Sequence, residues 1–148
     1  MLMLRRNEKD FIIRHDIKYQ DKFNKNHTKL MNNLASLNDL MKTEDISIEN
    51  MSKLEKLFLK YKEGVNKLIQ KQIMIGLDPK SGLYGNLRKS VHSAEDIIKK
   101  SELFELQTLM LTLRRNEKDF MLRRAEKYLD KFNKNYVTDL TQQGTKIA

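Results

Sequence analysis

Apolar residues recur every three or four positions along most of this chain, with charged residues between them, and that spacing predicts helix almost from end to end. Leu30, Leu34, Leu37 and Leu40 or Met41 form one series. A second contains Met51, Leu54, Leu57, Phe58, Tyr61, Val65, Leu68, Ile69 and the run from Gln72 to Ile75. The two part between Lys42 and Ser47, where the hydroxyl of Thr43 or Ser47 is placed to cap the helix that follows. A stronger break is GLDPKSGLYG at 76–85, which combines three glycines with the chain's single proline and forces a turn. A third series begins between Tyr84 and Leu87 and continues through Ile97, Leu103, Leu106, Leu109 and Leu113, with a pause expected near Ser101 and another between Arg123 and Glu126. The spacing therefore predicts helices at about 1–42, 47–76, 84–123 and 126–143. The expected fold is all-α, an antiparallel four-helix bundle over 1–148 as one domain, or part of two stacked bundles.

Composition supports helix and removes several alternatives. Glycine is scarce, cysteine and tryptophan are absent, and apolar runs stop at three or four residues. No run approaches the ~20 residues that cross a bilayer as a helix. Without cysteine there is neither a disulfide nor a thiolate metal site, and His15, His27 and His92 lack metal-ligand spacing. No nucleophile elbow, phosphate-binding glycine loop or spaced acid pair appears, so the sequence points to no enzyme and no cofactor. Arg88 and His92, near the start of the third helix, read best as part of a solvated first turn.

The pattern also contains a duplication. LRRNEKDF occurs at 4–11 and again at 113–120, each followed by a similar run ending in KFNKN. Aligned at an offset of 109, Met1 to Asn26 and Met110 to Asn135 agree at 19 of 26 positions. Only two copies exist, which suits two related halves of one bundle or two stacked modules better than a solenoid. The copies carry net charges of +3 and +4, so they hold seven of the nine excess positive charges. Acids are interleaved with those bases, as on a helix laced with i,i+4 pairs rather than along a track for nucleic acid.

Within each copy the apolar seam passes polar turns. In the first, Leu4 is followed by Asn7 or Glu8, then Phe11, Arg14 or His15, Tyr19 and Phe23; in the second, Leu113 by Asn116 or Glu117, then Phe120, Arg123 or Arg124, Tyr128 and Phe132. Inward polar groups need partners, because each unsatisfied one costs roughly 1–3 kcal/mol. Pairs such as Arg6–Asp10, Arg5–Glu8, Arg115–Asp119 and Arg114–Glu117 are one answer, giving a polar layer that sets helix register. A carboxylate ligand matched to the surplus guanidinium groups is the other.

The doubled motif LRRNEKDF-(I/M)-(I/L)-R-x-x-x-K-Y-x-x-K-F resembles the helical bimodular sensor domain of bacterial methyl-accepting chemotaxis receptors, and GLDPKSGLYGNLRKSVHSAED is similar to the segment between the copies there. The resemblance covers about half of the chain, which is shorter than the full bimodular domain. It implies a piece of a receptor ectodomain: extracytoplasmic (periplasmic), from a membrane-anchored parent protein, homodimeric, and binding a small carboxylate between helices with signalling by helix displacement. It further implies Arg5, Arg6, Arg114 and Arg115 as ligand-binding residues, with Arg14, Arg123, Tyr19 and Tyr128 as secondary candidates. The competing expectation is a structural or oligomerisation bundle with no small-molecule ligand.

Overall fold

A computed structural model describes residues 1–44, 47–100 and 104–147, with side chains described through residue 137. Among the described residues the fold is all-α, with helices α1 (Leu2–Arg14), α2 (Lys18–Thr43), α3 (Met51–Ile75), α4 (Gly82–Lys100), α5 (Phe104–Arg123) and α6 (Glu126–Ile147). The count is six where periodicity predicts four. The expected pause near Ser101 lies outside the described residues. The expected break between Arg123 and Glu126 is present, and the first copy contains the same break, which periodicity missed.

Both breaks are built alike. His15 (φ 51°) and Arg124 (φ 50°) adopt the left-handed conformation. Their amides donate to the carbonyls of Phe11 and Phe120, at 2.8 and 2.7 Å. Tyr19 and Tyr128 then donate back to the carbonyls of Asp16 and Ala125, both at 3.1 Å. Left-handed geometry at a helix C-terminus satisfies a terminal carbonyl and reverses the chain, so each copy is a helix–corner–helix hairpin. Asp16 reinforces the first corner by accepting from the Lys18 amide at 3.0 Å. The second corner has Ala125 there instead.

The chain forms two compact units, Met1–Arg88 and Lys89–Ala148, each holding one copy of the hairpin. In the first, α1 contributes Leu4, Asn7 and Phe11 to the interior, one stripe at i, i+3 and i+7. From α2 come Tyr19, Phe23 and His27, and from α3 Phe58, Val65 and Ile69. Leu4, Phe11, Tyr19, Phe23, Val65 and Ile69 make a continuous core, flanked by Leu30, Tyr61 and Leu77. Two hydrogen bonds lock α3 onto the hairpin: the Tyr61 hydroxyl donates to Glu8 of α1, and His27 Nε2 donates to the Phe58 carbonyl at 3.0 Å. Leu37, Leu40, Leu54, Leu57 and Leu68, which share the helical spacing, remain exposed.

The caps expected between α2 and α3 do not form. Thr43 Oγ1 donates back to the Asp39 carbonyl in its own helix, and Asn50, not Ser47, precedes α3 without a side-chain cap. The glycine-rich turn does form. Ser81 Oγ accepts from the amides of Leu77 and Asp78 at 3.0 and 3.1 Å, which closes the loop ahead of α4.

In the second unit the interior holds Leu109, Leu113 and Asn116 from α5 and Tyr128 from α6. Arg114 joins α5 to α4 through Glu95, which also meets His92 at 3.3 Å. Burial by itself would raise the Glu95 carboxyl, but the hydrogen bonds and charges of Arg114 and His92 hold it below its ordinary value.

Candidate functional site

Helical geometry decides where the motif arginines go. Successive side chains are rotated by about 100°, so with Leu4, Asn7 and Phe11 inside, Arg5 and Arg6 face outward. Arg5, Arg6 and Arg115 are exposed, while Arg114 is half-buried and paired with Glu95. A carboxylate held between helices by Arg5, Arg6, Arg114 and Arg115 needs those side chains inward; instead the inward polar residue of each motif is asparagine. The second polar layer survives only in part: the left-handed corner at His15 ends the helix with His15 half-buried and Arg14 outside, and at the matching corner both Arg123 and Arg124 are outside. Three expected pairings also change, Asp119 taking Arg123 in place of Arg115. Glu8 accepts from Tyr61 rather than from Arg5, and Arg114 pairs with Glu95 rather than Glu117.

The outward faces still build a site. A cleft of about 470 Å³ lies along the α1–α2 hairpin, lined by Met3, Arg6, Asn7, Asp10, Arg14, Tyr19, Lys22, Lys25 and Asn26. Arg6, Asp10 and Arg14 follow one another at i, i+4 and i+8 on one face of α1, and Asp10 receives Arg6 Nε at 3.9 Å and Arg14 Nε at 3.5 Å. Such long, solvent-exposed pairs hold their partners weakly. The α2 wall adds Lys22, and Lys18 and Lys22 stand 5.2 and 5.1 Å from the centre of the Tyr19 ring. Four cations, Arg6, Arg14, Lys22 and Lys25, thus line the cleft with one carboxylate, an arrangement that attracts anions and repels a divalent metal. Among the described residues no cluster of three histidine or acidic side chains able to hold a metal occurs.

Asn7 lines this cleft, and its Nδ2 is buried without a hydrogen-bond partner. Asn116 repeats the feature in the second copy. An unsatisfied amide in a helical seam carries a desolvation penalty that a leucine of similar size avoids. Asn7→Leu is therefore expected to leave the thermal midpoint unchanged or raise stability by about 1 kcal/mol; a marked loss in a melting experiment would show that the amide is bonded in solution.

The second copy presents a shallower counterpart of about 450 Å³, formed on α5 alone by Leu111, Arg114, Arg115, Lys118, Asp119 and Arg123. There Asp119 receives Arg123 Nε at 3.4 Å. Tyr128 is buried beneath Arg123, Lys127 and Lys131, at 5.6, 5.1 and 5.8 Å from its ring centre. Of the eight candidate residues, the structure gathers Arg6, Arg14 and Tyr19 at the first cleft and Arg114, Arg115 and Arg123 at the second, with Tyr128 beneath Arg123. Arg5 lines neither. Asn7, Asp10, Lys22, Lys25 and Asn26 escaped sequence reasoning as site residues, although each is identical in the other copy and the 6/10/14 spacing marks a single helix face.

No protein-family model, no curated protein and no solved structure matches the chain.

Proposed function

We propose that the α1–α2 cleft binds a small organic acid, and that the chain is the ligand-binding part of an extracytoplasmic sensor of the helical bimodular kind. The observation that carries this reading is the cleft itself: Arg6 and Arg14 on one wall and Lys22 and Lys25 on the other, with a single weakly held aspartate between the arginines. A ligand carboxylate bridging α1 to α2 competes with Asp10 for guanidinium groups whose planar donors suit it. Because the cations sit on both arms of a hairpin, such a ligand stabilises whichever hinge angle at His15 brings the arms together. The size of that shift is bounded by the ligand's differential affinity for the two angles. The receptor setting rests on the doubled motif alone, including the membrane-anchored parent, the periplasmic location and the homodimer.

Isothermal titration with succinate, malate and acetate tests the binding reading. One of these acids is expected to bind, and the double variant Arg6→Ala/Arg14→Ala to weaken it by roughly tenfold or more, since a charge-assisted hydrogen bond is worth about 1.5–3 kcal/mol before solvent screening. Affinity should also fall as salt rises. Heats indistinguishable from dilution for all three acids, or undiminished binding by the double variant, refute it.

The outward placement of Arg5, Arg6 and Arg115, together with the two seam asparagines, favours a second reading, in which the hairpins are purely structural or oligomerisation elements. In that case Asn7→Leu and Asn116→Leu alter association while no acid binds.

A further inference from the structure

The two hairpins carry the same seam residues but differ in what covers them. In the first unit α3 lies on the seam: Val65 and Ile69 join the core of Leu4, Phe11 and Phe23, and Tyr61 meets the Phe23 ring edge-on at 5.5 Å. The Tyr61 hydroxyl also satisfies Glu8. In the second unit, among the described residues, α4 meets α5 through Glu95 and Arg114, and that contact leaves the Phe120 end of the seam open. Phe120 is 38% exposed where Phe11 is 1%, and Tyr136 is 54% exposed where His27, at the equivalent position, is 2%. Phe132 is half-buried where Phe23 is sealed. Glu117 stands where Glu8 does, half-buried, and burial raises its carboxyl above the usual range against the opposing pull of Arg114 and Lys118.

We propose that the open face of the α5–α6 hairpin, which carries Glu117 and Phe120 on α5 and Phe132 and Tyr136 on α6, docks one amphipathic partner helix of the α3 type, bearing aliphatic residues spaced like Val65 and Ile69 and a phenol hydroxyl placed like that of Tyr61 to donate to Glu117. The first unit states the chemistry of the occupant, because an almost identical hairpin in the same chain is already closed by such a helix. Helix-in-groove recognition needs only those anchors at i, i+4 and i+8. A second copy of the same hairpin fits less well. It would bring another Glu117 carboxylate into that layer in place of a donor, and like charges at one level oppose association.

The test uses the full chain and a fluorescent peptide of its own residues 51–75 as the probe. The chain's α3 is tethered beside α1–α2, so its high effective concentration keeps the peptide from that hairpin. Saturable one-to-one binding by fluorescence anisotropy is expected. It should weaken about tenfold in the Phe120→Ala chain, the loss of one central aromatic anchor. It should also weaken severalfold with a Tyr61→Phe peptide, a change that leaves the chain's own fold untouched. Failure of the peptide to saturate overturns the proposal, as does binding indifferent to both changes. Self-association of the chain that Phe120→Ala abolishes, with no peptide binding, assigns the face to a second copy and overturns it equally. None of these readouts depends on an organic acid.

Discussion

Phe23→Ala will destabilise the first unit by roughly 3–5 kcal/mol, whereas Phe132→Ala, the same substitution at the matching position of the second copy, will cost about 1 kcal/mol or less. Phe23 is 1% exposed and sits at the centre of the three-helix core, edge-on to Tyr61 and stacked with His27 at 6.3 Å. Truncating it removes one of the two fully buried phenylalanines of that core and leaves a cavity between α2 and α3. For a unit of this size each kcal/mol moves the midpoint by about 4–8 °C, so a fall well beyond 10 °C is expected in the transition that melts the first unit. Phe132 is half-buried and its ring contact is with Tyr136 of its own helix, 6.4 Å away, so less is lost. Circular-dichroism melts of the two variants side by side check this. Equal losses would mean that the second hairpin is as well covered in solution as the first.

Gly76→Ala will be the second severe change, on the order of 3 kcal/mol, through the backbone rather than the core. Gly76 has φ 127° and ψ 134°, which residues with a side chain scarcely enter. A Cβ there would stand 2.3 Å from the Ser81 carbonyl oxygen, a backbone atom held by the loop that leads into α4. The loop must open to admit it, weakening the Ser81 contacts with Leu77 and Asp78. Gly64→Ala supplies the opposite sign. That glycine lies inside α3, and nothing stands within 4 Å of its added Cβ. Helix propensity then predicts a gain of about 1 kcal/mol. Urea denaturation of both variants measures the contrast, and a harmless Gly76→Ala would show that the turn tolerates another conformation.

Much of this architecture is legible in the sequence because it is local. The 3.6-residue spacing marks α3 correctly, the glycine-rich turn stands where three glycines and a proline predict it, and Leu4, Phe11, Tyr19 and Phe23 are the seam residues expected. The break at His15 was missed because the left-handed turn uses histidine and arginine in place of glycine, although the aligned copies offered a cue: the break expected after Arg123 had to recur 109 residues earlier. Simple rotation keeps the motif arginines from all turning inward, as a site between helices requires. Adjacent positions on a helix cannot share the face of Leu4, and the face that was filled is completed by Asn7.

The sequence by itself determined that this chain is helical, that it repeats a charged segment, and that each copy has one apolar seam flanked by cations. Tertiary structure alone decided that Arg6 and Arg14 share a cleft with Lys22 and Lys25, that Glu8 finds Tyr61 while Glu117 does not, and that Phe11 is sealed where Phe120 is open. Periodicity reports the face a helix turns inward, a property of neighbours along the chain. Whether another helix arrives to cover that face is set by residues distant in sequence, so identical motifs acquire different surroundings.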